Sequence, residues 1–397
     1  MRLSMKEKKP VTREFAAKYR RSLKKSKTKI LDDFIKLTEY TRSYARYLLR
    51  NHGRKIFLGK KIIAVADVNK KICRQRPRIY GEKVLKALKK IWMIYDYICG
   101  KRLVAILPET IKRLEKFNEI KLSDEIRKKL CHISAATIDR LLKDERKKIT
   151  LKGRSHTKPG TLLKHQIPIR TFSDWDDKRP GFLEIDLVGH DGGNSSGDFG
   201  FTLDATDVAT GWTEPKAIKN KASKWVFEAL CAIKMRLPFK LLGIDSDNGS
   251  EFINKPLLKY CQDNKISFTR TRSSRKNDNC YVEQKNWSVI RRASGYYRYD
   301  TDEEINLLNQ IYDNLRLYNN YFQPSMKLIS KERIGSKVIK KYDKAATPYR
   351  RILLSETVDN ANKLKLRQEY ENLNPAELKR QIVNLQNQLM QCVKKKN

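Results

Sequence analysis

From Lys29 to Arg50, Ile30, Leu31, Phe34 and Leu37 recur at helical spacing, and a second set, Tyr44, Ala45, Leu48 and Leu49, follows Thr41, a candidate cap. Arg42, Arg46 and Arg50 repeat every four residues and so share one face of the second helix. Two short helices with a basic outer face on the second predict a helix-turn-helix over residues 1–55, whose second helix enters a major groove. A basic, solvated helical hairpin is the alternative reading of the same pattern. Residues 56–148 turn helical again from Gly81, with Ser123 as a capping candidate for one further helix and a second helix following from Ser134. These are either a second helix-turn-helix or a pair that only packs. Regular patterning lapses over 149–179, a stretch rich in Pro, Gly and basic residues that reads as a linker able to lie along phosphates.

The period then changes. Residues 181–189 (GFLEIDLVG), 199–207 and 210–218 read as strands, with a turn at Ala209-Thr210-Gly211. A helix over 222–236, a strand over 240–245, a helix over 251–264, a strand over 266–271 and a helix from about Asp278 to Arg292 follow. Strands first, then alternating helices and strands, imply a mixed sheet covered by helices over 180–300. Residues 301–397 read as helical and polar. Leu378, Ile382, Leu385, Leu389 and Cys392 step by four and three, which predicts a short self-association coiled coil or, equally, ordinary packing.

Composition narrows the class. The chain has 397 residues, enough for several domains. Its 86 Lys and Arg against 45 Asp and Glu leave a net charge of +41, a field that draws polyanions, of which nucleic acid is the usual one in cells. The first 50 residues alone hold 16 basic against 5 acidic side chains. No run reaches the roughly 18 apolar residues a spanning helix requires, and the N-terminus has no apolar stretch of a signal peptide. A membrane partner is therefore not expected, and a cytoplasmic, nucleoid-associated location is. The seven cysteines include no Cys-x-x-Cys pair, which argues for reduced thiols and against a structural zinc site.

Three carboxylates stand out from the general acidity. Asp186 lies inside an apolar strand, where a charge is costly unless paired or bound to metal. Asp247 follows the strand LLGID and opens the turn Asp247-Asn248-Gly249, and Glu283 sits in the helix around NCYVEQKNW. Oxygen-only ligands suit Mg²⁺ or Mn²⁺, and two such ions about 4 Å apart can clamp the attacking and leaving oxygens of a phosphoryl displacement. The alternative is that these acids merely pair with nearby Arg and Lys.

The blocks EIDLVGHDG, FTLDATDVATGW, GIDSDNGSEFIN and TRSSRKNDNCYVEQKN resemble the catalytic core of Asp-Asp-Glu transposases of bacterial insertion sequences and of retroviral integrases. Thirty-five residues separate Asp247 from Glu283, the spacing characteristic of that family. TEYTRSYARYLLR and ISAATIDRLLK extend the resemblance to one subgroup of insertion-sequence transposases. The resemblance implies a ribonuclease H-like α/β core between the N-terminal all-α and C-terminal helical regions. It carries over Asp186, Asp247 and Glu283 as catalytic ligands of two metal ions. Asp245 is a rival upstream, but the family's Asp precedes Asn-Gly, which selects Asp247. The implied reaction is metal-dependent cleavage at the element's DNA ends followed by strand transfer, on double-stranded DNA held by a homodimer or higher oligomer.

Arg270, Arg272, Arg275, Lys285, Arg291 and Arg292 are candidate phosphate contacts, joined by Lys276 and Asn277 of the family's motif and by Arg42, Arg46 and Arg50. His190 and Asp191 follow Asp186 closely, and a loop without a role at the metals is the simpler reading. The His-His-Cys-Cys zinc domain of retroviral integrases has no counterpart in this chain. A tyrosine recombinase is disfavoured because no histidine is followed by Arg in a His-x-x-Arg pattern. A hydrolytic nuclease and a DNA-binding regulator with an inactive core remain the rivals.

Overall fold

Helical periodicity becomes helices, and the change of period becomes a sheet. The computed structural model describes residues 3–57, 63–65, 79–147, 179–247, 249, 251–270 and 280–396. They divide into two compact units, Met1–Ile79 and Tyr80–Asn397.

The first unit has three helices, α1 (Met5–Arg21), α2 (Lys24–Thr38) and α3 (Arg42–Asn51), and a two-stranded ladder of β1 (Lys55–Phe57) and β2 (Ile63–Val65). Its core is Ala16, Leu31, Phe34, Ala45 and Leu49, with Phe15, Tyr19 and Tyr40 packed around them. Leu31 and Phe34, and Ala45 and Leu49, are thus the inward members of the two predicted apolar sets, whereas Leu37 and Tyr44 are exposed. Glu39, in the left-handed region at φ 56°, ends α2. Thr41 is the first-turn cap by position, but its side chain makes no capping bond. The helix α1, capped by Ser4 and Glu7, was not anticipated; its Ala16, with Phe15 and Tyr19, packs into the core with α2 and α3.

In the second unit, α4 (Glu82–Ile94), α5 (Gly100–Lys116), α6 (Asp124–Cys131), α7 (Ala135–Leu141) and α8 (Lys143–Lys147) come first. Ser123, the predicted cap, accepts from the Ile126 amide at the start of α6, and Ser134 caps α7 in the same way through the Thr137 amide. Then follow β3 (Phe182–Gly189), β4 (Phe201–Asp207), β5 (Thr213–Ile218), α9 (Ser223–Arg236), β6 (Gly243–Ser246), α10 (Lys255–Asp263), β7 (Ser267–Arg270) and α11 (Cys280–Lys285). A π-helical turn (Asn286–Arg291) and the short α12 (Arg292–Ser294) continue α11. The five strands form one mixed sheet in the order β5-β4-β3-β6-β7. β3, β4 and β5 are antiparallel, and β6 and β7 run parallel to β3.

The chain ends with α13 (Asp302–Phe322), a ribbon of β8 (Leu328–Ile334) and β9 (Lys337–Tyr342), then α14 (Pro348–Leu354), α15 (Asn360–Asn372) and α16 (Pro375–Lys396). α13 closes the sheet's β5 edge: Asn309 and Asn320 each pair their carboxamide with the backbone N–H and C=O of Ala217 and Thr213. Pro215, which has no N–H to offer, stands between those two positions, so that edge presents no free ladder.

The region after Asp300 is therefore not wholly helical. β8 and β9 are joined by Gly335-Ser336, with Gly335 at φ 60°. The predicted heptad seam lies within the chain: Leu378, Ile382 and Leu389 are buried, and α16 packs along α13. This is the ordinary packing of an amphipathic helix. The linker 149–179 lies almost wholly outside the described residues. Among those residues, no helix is long and apolar enough to cross a membrane.

Candidate active site

Strand pairing sorts the side chains of β3 onto two faces, because residues directly opposite one another point the same way. Asp186 pairs with Asp204, Glu184 with Thr206, and Val188 with Thr202 across β4; Glu184 also pairs with Asp245 across β6. One face of the sheet centre thus carries Glu184, Asp186, Asp204 and Asp245. Glu184, Asp204 and Asp245 are fully buried. Ile185 pairs with Ser246, so Asp247, just past the end of β6, comes up beside Asp186.

α11 lies on this face, and its start is fixed by the sheet. The Glu184 carboxylate accepts the backbone N–H groups of Tyr281 and Val282 at 2.9 and 3.1 Å. A carboxylate at a helix N-terminus satisfies donors that have no partner within the helix and meets the positive end of its dipole. Glu283 is the next residue. One turn later, Asn286 donates from Nδ2 to Asp186 Oδ2 at 2.6 Å, and the Leu187 amide donates to Asp186 Oδ1 at 2.8 Å. Asp247 Oδ1 accepts the Gly249 amide at 2.8 Å.

The electrostatics tie the three acids together. Asp186 is pushed up from 3.8 to about 7, first by burial, then by the negative charges of Asp247 and, more weakly, Glu283; its two hydrogen bonds oppose the rise. Burial also raises Asp247 above the usual carboxylate range. Asp204 is driven up to about 8 by burial, and the neighbouring Lys285 is driven down to about 8, while each charge draws the other back toward its ionised form. Asp204 Oδ2 and Asn286 Oδ1 are buried without a hydrogen-bond partner.

This is a cluster of buried carboxyl groups whose ionised forms lack enough compensation, with oxygen acceptors left unused, a donor set that fits a hard divalent cation. The acids are neighbours rather than a closed cage: among the described residues, no three His, Cys, Asp or Glu side chains come close enough to ligate one ion.

The basic candidates fall in different places. Arg270 is buried, and Lys285 is half-buried beside Asp204. Arg291 donates to the Gly189 carbonyl at 2.7 Å, and Arg292 lies on the surface near Asp96. Arg42, Arg46 and Arg50 are exposed along α3, with Arg42 paired to Asp32. Arg272, Arg275, Lys276 and Asn277 lie outside the described residues.

His190 is buried, bonded from Nε2 to the Thr202 hydroxyl, which meets Tyr312, and burial pushes its pKa down to about 3. It is therefore a neutral core residue at ordinary pH.

Glu184, Asp204 and Asn286 were not singled out in the sequence. Glu184 and Asp204 carried a signal: each stands two residues from another polar position in its strand, so they fall on one face once the strands are paired.

No protein-family model matches the chain. It is 38% identical over 352 residues to the uncharacterized protein y4rM of Sinorhizobium fredii (strain NBRC 101917 / NGR234), a span covering 88% of this chain and 96% of that protein. Among solved structures, the catalytic core domain of BIV integrase overlaps it with a TM-score of 0.31 at 17% identity, over 44% of this chain and 95% of that one. The HTLV-2 integrase catalytic core domain in complex with magnesium, in its dimeric form, gives 0.28 at 16%, over 37% and 90%.

Proposed function

The chain belongs to one family with y4rM of Sinorhizobium fredii, and from its own site we propose that it is a DNA transposase or integrase of the Asp-Asp-Glu type, with a ribonuclease H-like core, acting on the ends of an insertion sequence. What supports this reading is that Asp186 within β3 and Asp247 just past β6 lie side by side on the sheet face that α11 covers, with the charges of Asp247 and, more weakly, of Glu283 on α11 acting on Asp186. The motif resemblance supports it, as does the charge of +41.

Asp186, Asp247 and Glu283 would hold Mg²⁺ or Mn²⁺, two ions expected, which supply Lewis acidity at the scissile phosphodiester. The chain's own residues prepare that site. Asn286 and the Leu187 amide hold both oxygens of Asp186 in place, and Glu184 seats the first turn of the helix that presents Glu283. Lys285 offsets the charge of Asp204 beneath them. Water would be the nucleophile of end cleavage, and the freed 3′-hydroxyl that of strand transfer. No covalent enzyme intermediate is required. Arg42, Arg46 and Arg50 on α3, in the helix-turn-helix reading, would meet the element's end, and joining two ends calls for at least a dimer.

The test is a strand-transfer assay. Purified protein and Glu283→Gln are incubated with labelled element-end duplex and plasmid target in Mg²⁺, Mn²⁺ or EDTA. Metal-dependent joined products that vanish in the variant are the expected result. Cleavage without joining would make the protein a nuclease. Specific binding without chemistry in either metal would make it a regulator with an inactive core.

A further inference from the structure

The β8–β9 ribbon has no place in the reaction described above, and it is built unlike the rest of the chain. Every residue of β9 is exposed. Apolar side chains emerge along both strands: Leu328, Ile329, Ile334, Val338, Ile339 and Tyr342 are all at least 44% exposed. Lys or Arg occupies positions 331, 333, 337, 340 and 341 of Leu328–Tyr342, against the single acid Glu332. An isolated two-stranded hairpin is at best marginally stable in water, and exposed apolar surface of this kind marks a binding face.

The ribbon is nevertheless firmly rooted. Ser325 and Ala346 exchange backbone bonds at 2.9 and 3.0 Å. Asp343 receives the Lys327 amide and the Arg351 guanidinium, each at 2.6 Å, and Arg351 also donates to the Ser325 carbonyl. The root adjoins the carboxylate site, since Lys327 Nζ lies 5.9 Å from the ring of Tyr281, whose amide is held by Glu184.

We propose that β8–β9 is an arm that lies in a groove of duplex DNA, its lysines on the phosphates and its apolar residues against sugar and base edges. The shape fits. A major groove about 12 Å wide admits a two-stranded ribbon, and six residues of strand span about 20 Å. The charge fits too: a net +4 within fifteen residues, counting five basic side chains and one acidic, is complementary to phosphate and opposes pairing with a second copy of the same ribbon. This surface is separate from the carboxylates, and it binds DNA whether or not they cut it.

The experiment measures affinity of the full chain for a fluorescent duplex across a salt series, in EDTA so that no cleavage enters. The variant is Lys337→Gln/Lys340→Gln/Lys341→Gln, all on exposed β9. The control neutralises three exposed lysines elsewhere, Lys365, Lys394 and Lys395. If each β9 lysine meets a phosphate, the slope of log K against log salt falls by about 2.7 in the variant, with at least about a tenfold loss of affinity at 0.15 M salt, and changes little in the control. Equal slopes in variant and control would overturn the proposal. So would a loss of oligomer by light scattering with DNA binding intact, which would assign the ribbon to contact between copies. Because the readout is binding without metal, a failure here leaves the three-acid reading standing, and the reverse holds as well.

Discussion

Asp186 should weaken the protein that carries it. Its pKa is 3.8 in an unfolded chain and about 7 in the fold. Below about pH 4, both states hold the proton and the residue is neutral to stability. Between pH 4 and 7, the folded state keeps a proton that the unfolded state has released, so stability falls as pH rises. Above pH 7, both are ionised and the cost levels off at about 4 kcal/mol, taking about 1.4 kcal/mol for each pH unit. Asp186→Asn removes that cost. It also gives up one of two accepted hydrogen bonds, because a carboxamide cannot accept from both Leu187 N–H and Asn286 Nδ2, a loss of about 1 kcal/mol.

Without metal, the variant should therefore be about 3 kcal/mol more stable than the wild type at pH 8 and about 1 kcal/mol less stable near pH 4. Urea unfolding in EDTA at both pH values measures this. Mg²⁺ at pH 8 should then raise the midpoint of the wild type and leave that of Asp186→Asn where it was, because binding to the folded state alone stabilises it. Parallel pH profiles for the two proteins, or equal stabilisation by Mg²⁺, would refute the reasoning.

Other residues give sharper local tests. Asn286→Ala leaves Asp186 Oδ2 unheld, and the Mg²⁺ concentration for half-maximal cleavage should rise by about 10- to 100-fold, with DNA affinity in EDTA unchanged. Glu184→Ala strands two amides at the start of α11 and should lower stability by about 1–3 kcal/mol by chemical denaturation, whereas Glu184→Gln, which keeps an acceptor, should lose less. Gly100→Ala would set a Cβ 2.3 Å from the Ala135 carbonyl oxygen; forcing α5 and α7 apart should cost about 1–3 kcal/mol, read as a lowered melting temperature.

The three proposed acids stand out in the sequence, each for a different reason. Asp186 sat in an apolar strand, Asp247 opened a sharp turn, and Glu283 kept a family spacing. The residues that support them obeyed local rules. Glu184 and Asp204 look like the polar half of an alternating strand until pairing places them under α11 rather than in solvent. Asn286 is an ordinary helical carboxamide until Asp186, one hundred residues away, comes within 2.6 Å.

The ribbon shows the limit of periodicity from the other side. Gly335-Ser336 is a hairpin turn signal, but its flanks are exposed on both faces and so show no alternation to mark them as strands. The seam of α16 was visible as one apolar stripe, yet a stripe does not name what covers it. α13, more than fifty residues upstream, does so here.

The π-helical turn Asn286–Arg291 bears on which changes of length the gene can tolerate. Such a turn accommodates one residue more than regular α-helix, and each residue of α-helix advances the chain by about 100°. At the start of the turn, Asn286 must face Asp186; further into it, Val289 and Ile290 must face the core. The extra residue reconciles those two orientations. A single-codon deletion between 286 and 291 would restore regular helix and swing one set of side chains away from its target, although no catalytic residue had been touched. Between Glu283 and Gly295, the reading frame of the helix is as constrained as the identity of its acids, and insertions and deletions there should be lost even where substitutions survive.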